Sequence, residues 1–110
     1  MGIHYNGQDL DVDDEKFLLE AVFDDEIVPI MAAADNITLT DDHWLVIRFL
    51  RDQYRDKGHT PNFRNLVKEL EDEQSGTDWK KALYTLFPNQ PARQAVRVAG
   101  LPKPFGKGGY

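Results

Sequence analysis

The chain has 110 residues, which suits a single domain, and its 41% hydrophobic content is enough for a small core. It contains no cysteine, which excludes disulfides, thiolate metal sites and any sulfur or redox chemistry on a thiol of its own. No apolar run approaches the roughly 18 residues of a membrane span, and no signal segment opens the sequence, so we expect a soluble, cytoplasmic protein with no membrane partner.

The net charge of −6 hides a gradient along the chain. Residues 1–47 hold twelve acids and one base, whereas residues 79–110 hold six bases and no acid. An acidic first half disfavours nonspecific coating of nucleic acid, which depends on neutralising phosphates. The basic last third leaves two alternatives open: it folds back on the acidic half, or it meets an anionic partner.

The first predicted element is a β-hairpin within residues 1–13. Asn6-Gly7 is the favoured two-residue turn, because both of its positions need a positive φ. Apolar residues alternate on either side of the turn: Ile3, Tyr5, Leu10 and Val12. Two strands are marginal on their own, so the hairpin must pack on helices.

Residues 17–23 are apolar and leave two alternatives open, an extended segment that closes the hairpin region or the start of a helix. A short helix is predicted from about Val28 to Ala34. Pro29 is tolerated only in the first turn of a helix, and the acids before it complement the helix dipole.

The strongest helix signal covers residues 41–57, with Thr40 as the N-cap and Gly58 just after the end. Its core face is predicted from residues at helical spacing: Trp44, Ile47, Leu50 (or Arg51) and Tyr54. We expect His43 at the surface of the first turn. We expect three arginines on the opposite, solvated face: Arg48, Arg51 and Arg55.

Three shorter helices are predicted after Gly58. The first covers residues 62–72, with Thr60 as N-cap and Pro61 at the first helical position. The second follows the capping pair Thr77-Asp78 and ends before Pro88. The last runs from Ala92 to Ala99.

From Gly100 onwards the chain is rich in Gly and Pro and cannot stay helical. We predict a flexible arm over residues 100–110, a helical body over residues 14–99 and the hairpin over residues 1–13. The fold class is mainly α (α+β): a small orthogonal helical bundle that contains a helix-turn-helix, with an N-terminal β-hairpin and a C-terminal arm.

The helices at 41–57 and 62–72 have the proportions of a helix-turn-helix, whose second helix would enter the major groove of DNA. The residues offered to bases and phosphates would be Asn62, Arg64, Asn65 and Lys68. The acids that follow, from Glu69 to Glu73, would be repelled by phosphates. DNA binding is therefore the alternative hypothesis.

Nothing in the pattern builds an active site, and we predict neither enzymatic activity nor a cofactor. The acidic pairs lie at caps and turns, and the phosphate-binding, dinucleotide and nucleophile motifs are missing from the sequence. The histidines His4, His43 and His59 lack ligand spacing, so no metal site is expected. Lys103 and Lys107 are docking charges rather than catalytic amines, because a Gly-rich segment offers no burial to lower the pKa of an amine.

The sequence resembles the DsrC/TusE family of small sulfur-carrier proteins over about residues 37–107. The likeness lies in Thr-Asp-Asp-His-Trp44, in Leu83-Tyr-Thr-Leu-Phe-Pro88 and above all in Val98-Ala-Gly-Leu-Pro-Lys-Pro104. Some members work with dissimilatory sulfite reductase, and others act in the relay that puts sulfur into tRNA. The resemblance implies a helical body with an N-terminal hairpin and a C-terminal arm.

In the family's carriers a cysteine near the end of the arm bears a persulfide, and the sulfite-reductase version has a second cysteine about ten residues earlier. The resemblance places these two positions at Lys107 and Val96. Neither residue can do the sulfur chemistry of a thiolate. The contacts expected to survive for arm docking are Arg93, Arg97, Leu101, Lys103 and Phe105.

The sequence therefore predicts a DsrC/TusE-like protein of sulfur metabolism that is a non-catalytic binding or regulatory partner. Its expected protein partner is a sulfite reductase-type or sulfur-relay complex. The alternative is a helix-turn-helix DNA-binding regulator of sulfur-metabolism genes.

Overall fold

The computed structural model describes residues 2–5 and 7–103, and in these residues two strands are followed by five helices. The strands are β1 (Gly2–Tyr5) and β2 (Gln8–Asp11). The helices are α1 (Ile27–Ala34), α2 (Asp41–Lys57), α3 (Phe63–Glu73), α4 (Trp79–Leu86) and α5 (Pro91–Val98). The predicted fold class, mainly helical with an N-terminal hairpin, is confirmed.

The two strands form the predicted antiparallel hairpin, with Ile3 opposite Leu10 and Tyr5 opposite Gln8. Gly7 has a φ of 77°, as the two-residue turn requires. An isolated bridge between Val12 and Leu18 then continues the pairing for one step. Residues 17–23 therefore begin as an extended segment, and no helix forms there.

Helix α5 is the centre of the helical body, since it packs against α1, α2, α3 and α4. Its two alanines, Ala92 and Ala95, are buried and small enough to let the neighbouring helices approach closely. Val96 and Val98 are fully buried beside them. Pro91 occupies the first helical position, where its missing N–H removes no hydrogen bond.

Helix α2 has the predicted capping residues, Thr40 and Gly58. The predicted surface position of His43 is wrong. His43 is only 5% exposed. Its Nδ1 accepts the Thr40 N–H at 3.0 Å, which completes a capping box, and its Nε2 donates to the Leu86 carbonyl at 2.8 Å. The imidazole thereby links the start of α2 to the end of α4.

Helix α3 begins later than predicted, at Phe63, with Asn62 as its N-cap. The Asn62 side chain accepts the Asn65 N–H at 2.9 Å. Thr60, the predicted cap, is instead buried at 3% exposure. Helix α4 is capped by Asp78 as predicted, through the Lys81 N–H at 3.3 Å.

No helix in the described ranges is long and apolar enough to cross a membrane.

Candidate functional site at the arm junction

The last described residues form a closed turn that returns the chain to the body, and we call residues 99–103 the arm junction. The Gly100 N–H donates to the Arg97 carbonyl at 3.1 Å and the Leu101 N–H donates to the Val96 carbonyl at 3.2 Å. With Gly100 at a φ of 81°, this pair of bonds is a Schellman motif. The sequence signal for it was the glycine after α5.

Gly100 is also the point where the junction touches the N-terminal half. Its carbonyl accepts the Val22 N–H at 2.9 Å. A Cβ at this position would lie 2.8 Å from the Val22 carbonyl oxygen and 2.9 Å from Cγ2 of Ile27. A glycine is therefore needed here for space as well as for φ.

The junction remains part of the body as far as it is described, which differs from the arm predicted to leave at Gly100. Leu101 is fully buried in the core. It therefore offers a partner no surface in this conformation, although we predicted it to be a docking residue. Lys103 is exposed, and its Nζ lies 3.1 Å from Oε2 of Glu15.

Arg51 holds the junction from the side of α2, and its predicted place on the solvated face is wrong. Its side chain is 5% exposed. Nε donates to the Ala99 carbonyl at 3.1 Å, Nη1 to Asp25 at 2.6 Å and Nη2 to the Asp24 carbonyl at 3.1 Å. Each of the three guanidinium nitrogens thus donates one hydrogen bond.

The other two predicted arginines of that face are exposed, as expected. The Arg48 guanidinium lies 5.5 Å from the ring centroid of Trp44, and that of Arg55 lies 4.5 Å from that of Phe23.

Two arginines of α5 are paired within the chain. Arg97 donates through Nε and Nη2 to Oδ2 of Asp35, at 3.0 and 2.8 Å, and through Nη1 to the Glu15 carbonyl at 3.2 Å. Arg93 donates to the Glu15 carboxylate. Both guanidinium groups lie within 6 Å of the Phe17 ring centroid, at 5.6 and 5.3 Å.

These contacts bear on the two alternatives for the basic last third of the chain. Three of its five described bases, Arg93, Arg97 and Lys103, meet Glu15 or Asp35 of the acidic half. This part of the basic third therefore folds back on the acidic half, whereas Lys80 and Lys81 on α4 form no salt bridge with a described residue.

The family resemblance implies a cysteine at two positions, and only one of them lies within the described residues. Val96 is fully buried at the centre of α5. Lys107, like the predicted docking residue Phe105, lies outside the described residues. This chain has no thiol at either position.

The hairpin is tied to the same region through Tyr5, whose hydroxyl donates to the Asp24 carboxylate. This hydrogen bond raises the pKa of Tyr5 from 10.0 to about 12. The same bond, together with the Glu26 N–H, holds the pKa of Asp24 below its ordinary value. Asp24 and Asp25 therefore connect the hairpin to Arg51 and the junction.

The residues predicted for DNA contact lie on α3 or at its N-cap. Arg64, Asn65 and Lys68 are exposed, as a DNA-reading helix would need. Asn62 is half-buried and accepts a hydrogen bond as the N-cap. Within the described ranges, no group of three or more His, Asp or Glu side chains could hold a metal ion.

Sequence reasoning missed Arg51 and His43, although the helical spacing contained a signal for both. Arg51 follows Ile47 by four residues, and His43 precedes Val46 by three and Leu50 by seven. Those separations place the two polar residues on the buried stripe of α2.

Comparison with known proteins gives concordant matches. A family model described as DsrC like protein matches residues 4–106. The sulfurtransferase TusE of Photorhabdus laumondii is 38% identical over 104 residues, which cover 91% of this chain and 92% of that protein.

Two solved structures show the same body. The NMR structure of DsrC from Allochromatium vinosum has a TM-score of 0.86 and 38% identity, and the match covers 97% of both chains. The crystal structure of the oxidized gamma subunit of dissimilatory sulfite reductase (DsrC) from Archaeoglobus fulgidus has a TM-score of 0.84 and 36% identity. That match covers 96% of this chain and 98% of the other.

Proposed function

Because the chain belongs to the DsrC-like protein family, we propose that it is a non-catalytic binding or regulatory partner of a sulfite reductase-type or sulfur-relay complex in the cytoplasm. The related proteins are named as a sulfurtransferase and as a gamma subunit of dissimilatory sulfite reductase. We infer the same class of protein partner for this chain, without the sulfur-transfer step.

The observation that supports this proposal most strongly is a closed, buried arm junction in a chain without cysteine. A persulfide carrier needs a thiolate to accept and release sulfur. Here Val96 and Lys107 occupy the positions where the family resemblance expects thiols, and no other cysteine is present. The body keeps the means to present its C-terminal end to a partner, but it has no atom that could bear the sulfur.

Fewer residues remain as docking candidates than were predicted from the sequence. The side chains of Arg93 and Arg97 are paired with Glu15 and Asp35 and only 25% and 16% exposed, and Leu101 belongs to the core. Lys103 also pairs with Glu15, but its side chain is 46% exposed. We therefore propose Lys103 and Phe105 as the main docking residues. Lys103 is an exposed cation, and Phe105 follows it by two residues in the sequence. A cation and an aromatic residue this close in sequence suit a partner channel that combines an acidic wall with an apolar one.

The proposal is tested by titrating the full chain into the sulfite reductase or sulfur-relay complex of the same cell. We expect binding that weakens on shortening the chain after Lys103, and competition with a cysteine-bearing relative for the same partner. The variant E71Q, altered at an exposed residue of α3, is the control. No binding, or binding indifferent to the shortening, contradicts arm docking.

A second experiment separates docking from chemistry. The wild-type chain should accept no persulfide sulfur from a persulfide donor, whereas K107C should accept it at the new thiol. Sulfur transfer mediated by the wild-type chain would contradict the non-catalytic role.

DNA binding is kept as the second candidate because Arg64 and Lys68 project from the second helix of a helix-turn-helix pair. It predicts affinity that is lost in R64A and K68A and that falls steeply with salt. The acids from Glu69 to Glu73 lie on the same helix and work against it. Salt-independent or absent DNA binding eliminates this candidate.

A further inference from the structure

Among the described residues, two large hydrophobic side chains are prominently exposed. Leu19 is 58% exposed and Tyr84 is 53% exposed. Leu19 lies beside the hairpin and Tyr84 on α4, in regions of opposite charge.

Leu19 belongs to a groove between β2 and the segment that follows the Val12–Leu18 bridge. The groove has a volume of about 390 Å³, and Leu10, Leu18 and Val22 give it an apolar lining. Exposed carboxylates complete the lining: Asp9, Asp11 and Glu20. We call it the Leu19 groove. A cavity of about 150 Å³ is enough for a benzene ring, so this groove has room for one aromatic side chain.

Tyr84 projects from a small basic surface. The Phe63 ring supports it, with the two ring centroids 5.3 Å apart. Lys80 precedes Tyr84 by one helical turn and lies on the same face of α4. Arg64, Lys80 and Lys81 are exposed and form no salt bridge with any described residue. We call Phe63, Arg64, Lys80, Lys81 and Tyr84 the Tyr84 patch.

We propose that the Leu19 groove of one copy of this chain receives Tyr84 of a second copy. The phenol ring would cover Leu19 and the apolar lining, while the three carboxylates of the groove would face the three bases of the patch. The two surfaces are complementary in shape and in charge. A projecting ring meets a groove, and basic side chains meet carboxylates. This inference does not depend on the proposed function.

A second copy fits better than a different partner because one chain supplies both complementary surfaces. The net charge of −6 makes copies repel each other in most orientations. When the Tyr84 patch of one copy faces the Leu19 groove of another, attraction between the bases and the carboxylates opposes that repulsion. The contact is heterologous, since each copy offers one groove and one patch.

The test is sedimentation velocity of the full chain over a wide concentration range, at low and high salt. We expect a reversible increase in mass above the 12.6 kDa monomer, weakened by salt, because the facing charges are solvent-exposed. A chain that stays monomeric at all concentrations in low salt overturns the proposal.

Variants on the two surfaces locate the contact. L19S and Y84S should each weaken association by about tenfold or more, the equivalent of 1.4 kcal/mol. E73K alters an exposed residue outside both surfaces, makes the same change of charge as the groove variant E20K described next, and should not weaken association. Association that survives both L19S and Y84S contradicts the inference.

A charge exchange gives the sharpest result. E20K and K80E should each associate poorly alone. An equimolar mixture should recover association, because the lysine introduced into the groove of one chain then meets the glutamate introduced into the patch of the other. Failure of the mixture to recover overturns the proposal.

Shortening the chain after Lys103 should leave association unchanged. Stronger association of the shortened chain would mean that the groove holds the chain's own end, which also contradicts a second copy as occupant.

Discussion

Arg51 joins α2, the loop before α1 and the arm junction. Replacing it with methionine keeps much of its aliphatic stem but leaves the Ala99 and Asp24 carbonyls without their donor. We expect R51M to lower the free energy of unfolding by about 2–3 kcal/mol, measured by urea denaturation. The Asp25 pair adds little to this figure, because that carboxylate is 66% exposed.

R55M is the matched control on the same helix. Arg55 is exposed, and its pairing with Asp52 at 3.8 Å is loose. The control should change stability by about 1 kcal/mol or less. Equal effects of R51M and R55M would mean that the buried hydrogen bonds contribute nothing specific.

The Tyr5–Asp24 hydrogen bond makes a pH-dependent contribution to stability. Because the pKa of Asp24 is lowered in the folded state, its contribution is present above 3.8 and is lost as pH falls through the folded-state pKa. Because the pKa of Tyr5 is raised, its contribution is present below 10.0 and is lost as pH rises towards about 12. The bond therefore stabilises the fold between these two limits.

Y5F should lower stability at neutral pH, and the difference from wild type should shrink towards both limits. NMR titration of Asp24 should show its pKa moving up in Y5F. Y84F removes a tyrosine hydroxyl on α4 and serves as control, with no expected effect on Asp24. An unchanged Asp24 titration in Y5F would contradict the hydrogen bond.

At the scale of the element, the end of α5 needs a glycine at position 100 for two reasons, its positive φ and the lack of space for a Cβ. Substitutions at Gly76 and Gly100 distinguish the two effects. Gly76 has a φ of 94° with open space around its hypothetical Cβ, whereas Gly100 has a φ of 81° with atoms 2.8 and 2.9 Å away. G76A should show the strain of a left-handed alanine alone, about 1 kcal/mol. G100A should lose about 1–3 kcal/mol more, through overpacking against Val22 and Ile27.

Thermal or urea denaturation of both variants measures the difference. If G100A and G76A are equally stable, the close approach of the junction to Val22 is not a feature of the folded protein.

The predictions made from the sequence succeeded where local chemistry decides an element. The Asn6-Gly7 turn signal, the Thr40 and Gly58 caps and the periodicity of α2 gave the hairpin and the long helix correctly. The start of α3 was misplaced because Thr60 and Asn62 are both good caps. Only Asn62 uses its side chain for the Asn65 N–H.

The arm junction was harder to predict because distant contacts determine it. Gly and Pro around Leu101 indicated a chain leaving the body, and that inference used local propensity alone. The actual path depends on Val22, which lies far away in sequence, and on Arg51. Arg51 was predicted to be exposed because it is charged, although its helical spacing placed it on the buried face of α2.

At the scale of the whole molecule, the charge gradient is partly neutralised where Glu15 meets Arg93 and Lys103. These groups are 25–46% exposed, so solvent screens the pairs. We expect E15Q to lower stability by about 0.5–1 kcal/mol and to reduce the salt dependence of unfolding. D14N, which removes one charge from the exposed neighbouring residue, is the control.

Urea titrations at low and high salt provide the measurement. If E15Q and D14N respond to salt alike, the effect comes from net charge and not from the pairs at the junction.

The central position of α5 has a consequence for the order of folding. Helices α1 to α4 pack against the last of the described helices, and the Val22 N–H donates to the carbonyl of Gly100. During synthesis the N-terminal elements emerge first, but they cannot complete a shared core until residues 91–101 have also appeared. Closing so long a loop is slow compared with forming a local helix. The nascent chain should therefore expose apolar surface until residues 91–101 have emerged, which makes it a substrate for chaperones at the ribosome.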